Sequence, residues 1–405
     1  MHMIAESQSL FALQIATLSV IVISAHQLLL RARNRQVYRP LAVCLLAIGF
    51  ITALPISKTL LPVSFQVLHL IFCLPALLLV APSLWLYSIG LTNQTPWSFQ
   101  KRDIKHFAPS GFGCLVALVA LIIPEPYRYA ILVNDNLTLV EQAPILLRSV
   151  IYGLLIVTFG CVLGWIVQSA WYFYKLINRL HHYHEQLKDV FASTEQKELR
   201  WLIWLLISVG GVWLFIALDL FLDNLFSPIQ FDQHLYAMML LLLVYSLALW
   251  GLRQKPGFTE CYELADSHEF VSDPTSSEQV KYQRSALDHQ RASQIVTKLE
   301  HAMVVDKCYL DANLSLPKLA KHIHTPSHYI SQTLNETLGM RFFDFVNQHR
   351  VDAAKQLLAQ EQDAILTVAM EVGFNSKSAF YTAFKKHTTL TPSDYRKQHQ
   401  IEGNQ

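Results

Sequence analysis

Residues 372–386 read Val372-Gly373-Phe374-Asn375-Ser376-Lys377-Ser378-Ala379-Phe380-Tyr381-Thr382-Ala383-Phe384-Lys385-Lys386. Gly373 marks a turn, and Ser376 is a residue type that caps a helix start. Phe380 and Phe384 lie four apart, which places both on one buried stripe of the helix that follows. Lys377, Ser378, Tyr381, Thr382 and Lys385 fall on its accessible faces. Upstream, Ile365 to Val372 has the apolar spacing of a short helix, so the stretch reads as helix, turn, helix. The same grammar occurs earlier. Leu316-Pro317-Lys318-Leu319-Ala320-Lys321-His322-Ile323 is a short helix with Pro early, where its missing N–H does no harm. Thr325-Pro326 ends the turn, and a second helix runs from Ser327 to Leu338 with Gly339 as its stop. Ile330, Leu334 and Leu338 form its buried stripe, leaving His328, Ser331, Gln332 and Asn335 on another face.

Between the copies runs a longer amphipathic helix with Phe342, Phe345, Val346, Ala353, Leu357 and Leu358 facing inward. About 17 residues at 1.5 Å each make a spacer of roughly 26 Å. That length suits two recognition helices near successive major grooves, about 34 Å apart. Polar side chains early on a recognition helix reach base edges, and basic ones hold the phosphate backbone.

At this point the sequence resembles the AraC family of bacterial transcription regulators. The match rests on Leu319-Ala320, Ser327 to Leu338, Gly339, Arg350-Val351, Ala353-Ala354 and Leu357-Leu358. It continues through Val368-Ala369, Val372-Gly373-Phe374, Phe380, Phe384-Lys385-Lys386 and Thr391-Pro392-Ser393-Asp394-Tyr395-Arg396. The resemblance covers about residues 300–398. It implies sequence-specific binding of double-stranded promoter DNA by a domain with two helix-turn-helix motifs. It carries base contacts onto His328, Ser331, Gln332, Lys377, Ser378 and Thr382, and phosphate contacts onto Lys385, Lys386 and Arg396. Two positions depart from the family pattern: Thr389 stands where Gly is usual, and Pro326 where Ser is common. Nothing before residue 280 resembles the soluble sugar-binding half usual in that family.

The rest of the chain belongs to another solvent. Of 62 charged residues, 27 lie in residues 1–252 and 35 in residues 253–405. Charge is 15% of the whole, against about 25% in soluble domains. Apolar runs long enough to cross some 30 Å of hydrocarbon as helix occur at 10–30, 41–61, 65–90, 107–123, 145–174, 201–222 and 235–252. The expected fold is therefore all-α: a seven-span membrane bundle over 1–252, a linker over 253–285 and an AraC-like DNA-binding domain over 286–405. The linker reading rests on Lys255-Pro256-Gly257 and Asp273-Pro274-Thr275-Ser276-Ser277. No basic residue precedes the first run, so a cleaved signal peptide is not expected.

Basic residues in the connecting loops set the orientation. One set of alternate loops, with the segment after the last span, holds fourteen: Arg31, Arg33, Arg35, Arg39, Lys101, Arg102, Lys105, Lys175, Arg179, Lys188, Lys197, Arg200, Arg253 and Lys255. The other set holds Arg128 alone. A multi-pass protein of the bacterial inner membrane is implied, with its N-terminus outside and its DNA-binding domain in the cytoplasm.

Ionisable groups inside spans are costly and mark candidate sites. Asp219, Arg148 and His69 are the candidate intramembrane sensor residues. His181-His182-Tyr183-His184 invites a metal reading, but adjacent helical histidines diverge, and a solvated loop helix is expected there. No catalytic residue, metal site or cofactor is expected, because no nucleophile–base pair, phosphate loop or ligand spacing occurs. The function read from the sequence is a membrane-embedded one-component regulator. Its partners are promoter DNA, the lipid bilayer, a small-molecule or membrane signal and a second copy in a homodimer. The alternative is a transporter or channel with a cytoplasmic helical protein-docking domain, which predicts deep ion pairs and repeated halves. Deep charges are scarce here, and the bundle shows no convincing repeat.

Topology is directly testable. Reporter fusions after residues 140 and 228 should register outside, and fusions after 37, 103, 190 and 260 inside. A cytoplasmic signal at 228 contradicts the charge asymmetry.

Overall fold

The computed structural model describes residues 2–32, 34–134, 136–195, 197–211, 233–259, 289–360 and 363–402. Asp219, most of the expected linker and the second half of the expected sixth span lie outside these. The described residues are helical apart from turns and one isolated antiparallel bridge, Phe191 with Ser315. The chain divides into two compact units. One holds residues 1–180 and 199–256, the other 181–198 and 257–405.

The first unit contains α1 (His2–Leu30), α2 (Arg35–Thr52), α3 (Leu54–Leu60), α4 (Val63–Thr92), a 3₁₀ turn (Lys101–Phe107), α5 (Ala108–Ile122), α6 (Glu125–Leu132) and α7 (Thr138–Glu141). It also holds the first 36 residues of α8 (Ile145–Val190), then α9 (Arg200–Gly211) and α10 (Gln233–Arg253). Among the described residues, five helices are long and apolar enough to cross a membrane, and six if the bent pair α2–α3 counts as one. The expected sixth span, over 201–222, begins as α9, a shorter apolar helix.

The second expected span is broken. Its halves meet at 46° around Ala53, two residues before Pro55. Proline lacks the N–H that would bond one turn back, and its ring crowds the preceding residue, so the helix restarts rather than continues. Pro75 and Pro82, by contrast, sit inside an unbroken α4. Lys58, in the last turn of α3, adds a second basic residue to the loop set in which the sequence reading counts Arg128 alone.

Helices of this unit meet closely where side chains are small. A Cβ on Gly90 would lie 2.8 Å from Cγ1 of Val37, so α4 and α2 touch nearly backbone to side chain. At one end, polar groups tie several helices. The Arg31 guanidinium donates to the Leu252 carbonyl (3.0 Å), and the Tyr38 hydroxyl to that of Gln254 (2.7 Å). Trp201 Nε1 donates to Gln254 Oε1 (2.9 Å) and stacks on Trp250 at 6.3 Å. Helix ends leave carbonyls unpaired, and the Arg31 and Tyr38 donors satisfy two of them.

The second unit holds α11 (His289–Val304), α12 (Leu316–His322), α13 (Ser327–Gln332), α14 (Phe342–Gln360), α15 (Ile365–Glu371), α16 (Lys377–Thr388) and α17 (Pro392–Glu402). Two cores form. Leu299, Met303, Leu319, Ile330, Leu334, Phe342 and Val346 pack in one. Val351, Leu358, Val368, Phe374, Phe380 and Phe384 pack in the other. α14 threads both, so the spacer helix is shared. The helix expected from Ser327 to Leu338 changes pitch midway, with α13 followed by a π-helical turn over Thr333–Thr337 before Gly339 turns left-handed at φ 65°.

Residues 181–198 also belong here. Residues 181–190 are the last ten of α8, and the segment is more than a solvated loop helix. Tyr183, Leu187, Phe191 and Ala192 are buried, Ala192 in the first of the two cores.

Two turn residues generate a stability test. Gly373 has φ 93°, and a Cβ there would lie 2.5 Å from the Tyr309 carbonyl oxygen. Thr389 is held left-handed at φ 65°, a conformation costing a β-branched residue about 1–2 kcal/mol. Gly373→Ala should destabilise the second unit by about 2–3 kcal/mol. Thr389→Gly should stabilise it by roughly 0.5–1 kcal/mol, after subtracting about 0.4–1 for the freer unfolded chain. Thermal unfolding of the detergent-solubilised protein reads both, and a stabilising Gly373→Ala would show that the crowding is absent.

Candidate nucleic-acid interface

The two recognition helices are α13 with its π turn, and α16. Each is positioned by a short preceding helix and a turn. In the first motif, the N–H of Thr325 reaches back to the Ala320 carbonyl (3.0 Å) and closes the turn after α12. Pro326 stands at the cap position without a side-chain bond. In the second, the N–H of Phe374 bonds the Ala369 carbonyl (3.0 Å) through the Gly373 turn. Ser376 Oγ then accepts from the Ala379 N–H at 3.1 Å and caps α16. Phe380 and Phe384 anchor the helix, their rings 5.4 Å apart.

This anchoring leaves the other faces free. His328, Lys377, Ser378, Thr382, Lys385 and Lys386 are exposed, and Ser331 and Gln332 are half-buried. Several are already engaged. His328 lies against the Tyr329 ring at 4.0 Å. Gln332 Nε2 donates to Glu336 Oε2 at 2.9 Å, one turn along. Ser331 Oγ accepts from Asn335 Nδ2 at 3.4 Å. Lys377 Nζ lies 5.3 Å from the centre of the Tyr381 ring. Lys386 pairs with Asp344 of α14 at 2.6 Å. Arg396 differs from the two lysines: it is half-buried, with Nε and Nη2 enclosed in the fold. Only part of its guanidinium faces outward.

The join between the motifs is made by Arg350, which is 0 % exposed. Its Nε donates to the Tyr309 carbonyl and Nη2 to that of Asp311, both at 2.8 Å. Nη1 reaches Asn347 Oδ1 at 3.3 Å, Ser193 Oγ at 3.2 Å and the Ala192 carbonyl at 3.4 Å. Burial pushes this guanidinium down to about 10, with Glu195 and Asp311 opposing the shift, so it remains charged at neutral pH. Asn375 Nδ2 adds a second tie, donating to the Ala312 carbonyl at 3.0 Å. The contact of 181–198 with the motifs carries no pattern visible in the sequence.

One group of metal-ligand types converges among the described residues. Donor atoms of Asp306, Cys308 and His322 lie within 4.8 Å of one another. Asp306 already bonds His322 Nε2 at 2.7 Å, with His301 Nδ1 at 3.6 Å. Burial and the carboxylates of Asp306 and Asp311 push the Cys308 thiol up, away from the thiolate that binds metal. His181 and His182 have ring centres 6.2 Å apart, and His184 turns to Glu198. In the first unit, His69 Nε2 bonds the Phe50 carbonyl at 2.7 Å, and Arg148 donates to the Glu141 carbonyl at 3.2 Å. Both are engaged close to home, and the structure does not bring them together.

A helix-turn-helix domain family matches residues 319–398. The regulatory protein PocR of Salmonella typhimurium is 28% identical over 125 residues, which are 31% of this chain and 39% of PocR. YtdP of Bacillus subtilis, an uncharacterized HTH-type transcriptional regulator, is 28% identical over 88 residues, 22% of this chain and 11% of YtdP. The C-terminal domain of AraT, a response regulator from Geobacillus stearothermophilus, aligns with 27% of this chain and 88% of its own, at 28% identity and a TM-score of 0.25. The chain thus spans well under half the length of these curated relatives. Residues 319–398 form an AraC-type helix-turn-helix domain, and the relatives are regulators of transcription rather than enzymes.

The exposed faces give separable expectations for DNA. Gln332→Ala and Lys377→Ala should each weaken binding of the full-length protein to a cognate duplex by about 1–3 kcal/mol and relax preference at one base position. Lys386→Ala should weaken binding evenly across sequences and flatten the salt dependence. Fluorescence anisotropy at several salt concentrations separates the two classes. Wild-type affinity and preference in both Gln332→Ala and Lys377→Ala would remove these residues from the interface.

Proposed function

We propose that this chain, whose C-terminal quarter is an AraC-type helix-turn-helix domain, is a transcription regulator embedded in the bacterial inner membrane. The single observation that carries the reading is the pairing, in one polypeptide, of that domain with at least five helices long and apolar enough to cross a membrane. The exposure of those helices supports it. Along α8, Leu146 is 80 % and Val167 70 % exposed, a surface suited to lipid and costly in water. The basic asymmetry of the loops, fourteen to two once Lys58 is counted with Arg128, supports a cytoplasmic DNA-binding domain, where promoter DNA is found.

In this reading the first 252 residues receive a small-molecule or membrane signal, and the two motifs read duplex DNA, as one copy or as a homodimer. Asp219, Arg148 and His69 are the ionisable groups to test for sensing, Asp219 first. A carboxylate in lipid needs a partner, which a ligand or second helix supplies.

Genome-wide mapping of DNA bound by the intact protein tests the reading. Discrete promoter peaks, recovered from the membrane fraction, are expected. Absence of peaks under every growth condition would turn the reading toward a transporter with a docking domain. Asp219→Asn should shift basal output of the bound promoters while leaving affinity for DNA unchanged.

A further inference from the structure

A segment far from the DNA-binding domain in sequence is built into it. Residues 181–198 are the end of α8 and the turn that follows, about one hundred residues before α11 begins. The backbone of Ala192 is gripped on both sides. Its N–H donates to the Leu314 carbonyl at 3.1 Å, and its carbonyl accepts from Asn347 Nδ2 and Arg350 Nη1, both at 3.4 Å. Phe191 forms the bridge with Ser315, the residue before the first helix of the first motif. The Ala192 methyl fills part of that motif's core.

Charge brackets this contact. On one side Arg341, just before the spacer helix, pairs with Glu185, and its Nε lies 3.6 Å from Asp189 Oδ1. On the other side Glu195 Oε1 lies 3.5 Å from Ser376 Oγ, the cap of the second recognition helix. The turn is a formed object. Thr194 Oγ1 donates to Glu198 Oε1 at 2.7 Å, and the Tyr183 hydroxyl donates to the Lys197 carbonyl at 2.9 Å.

The segment therefore touches the first motif, the spacer helix and the second recognition helix at once. Two recognition helices on one spacer must keep a fixed relation to enter successive grooves. Arg350 fixes that relation, and Nη1 spends two of its three contacts on residues 192 and 193. Without them a buried guanidinium is left short of acceptors, which is a strongly unfavourable arrangement.

We propose that the surface formed by Leu314, Ser315, Asn347 and Arg350 is a docking site whose occupant is the chain's own segment 181–198, and that this occupancy holds the two motifs in the geometry that binds paired grooves. The inference rests on the reading of the chain as a DNA-binding regulator and names how its interface is controlled. Control enters through α8, the helix that starts at Ile145 in the apolar part of the chain, rather than through the linker after residue 253.

The test uses the full-length protein in lipid nanodiscs and a duplex taken from a promoter that the wild-type protein occupies. Glu185→Arg with Asp189→Arg sets like charges against Arg341 and alters no residue of 286–405. Binding to the duplex is expected to weaken about tenfold. Adding Arg341→Glu should restore it to within threefold of wild type. Binding to a duplex cut to one half-site should change less than twofold, because a single motif needs no fixed partner. Wild-type affinity in the double variant, no rescue in the triple variant, or an equal loss on the half-site would each overturn the docking proposal. Failure of the wild-type protein to bind any duplex would instead overturn the regulator reading itself.

Discussion

Burying a guanidinium costs several kcal/mol unless its donors all find acceptors, and the second unit is arranged to meet that condition at Arg350. Acceptors come from the loop at Tyr309 and Asp311, from Asn347 on the same helix, and from residues 192 and 193. Three separate stretches of chain must converge for the charge to be tolerated. The Tyr309 carbonyl is needed twice. It takes the Arg350 Nε proton, and it lies where a Cβ on residue 373 would intrude. The glycine of the second turn is thus required by the arginine of the spacer. A conformational requirement in one motif and an electrostatic one in the helix between them are the same constraint.

The first unit is governed by a different economy. Its helices carry almost no charge in their apolar stretches, so packing rests on close approach, as where Val37 meets Gly90. Polar bonds concentrate at helix ends, where Arg31, Tyr38 and Trp201 serve carbonyl or amide oxygens near residues 252–254. Such donors are worth most where backbone groups would otherwise lie unpaired beside an apolar phase. The arrangement is compatible with the proposed bundle in lipid.

The helix-turn-helix motifs were legible because their information is local. Ser376, Gly373 and the Phe380–Phe384 stripe each act within one or two turns of helix, and the spacing alone reports them. Thr389 was visible as a departure from pattern, and its left-handed backbone explains why glycine is usual there. The break at Ala53 was half legible. Pro55 lies inside its expected span, as Pro75 and Pro82 lie inside theirs, and only the first interrupts its helix. The role of 181–198 left no trace in the sequence, because its central bonds are made by the backbone of Ala192, which any residue possesses. The same holds for the recognition surface. Exposure of Lys377 or Thr382 follows from the phenylalanine stripe opposite, whereas the Gln332–Glu336 and Lys386–Asp344 pairings depend on side-chain positions that no spacing encodes.

The contact between Ala192 and Arg350 also orders events during synthesis. Its two ends are separated by 158 residues, so the earlier end leaves the ribosome long before the later one. At roughly 5–20 residues per second, the interval is about 8–30 s. For that time Ala192, buried in the finished protein, lacks the core that it completes. A fold that uses an early segment to complete a late domain makes the newborn chain present apolar surface while translation continues. The second unit is therefore completed only after the spacer helix has emerged.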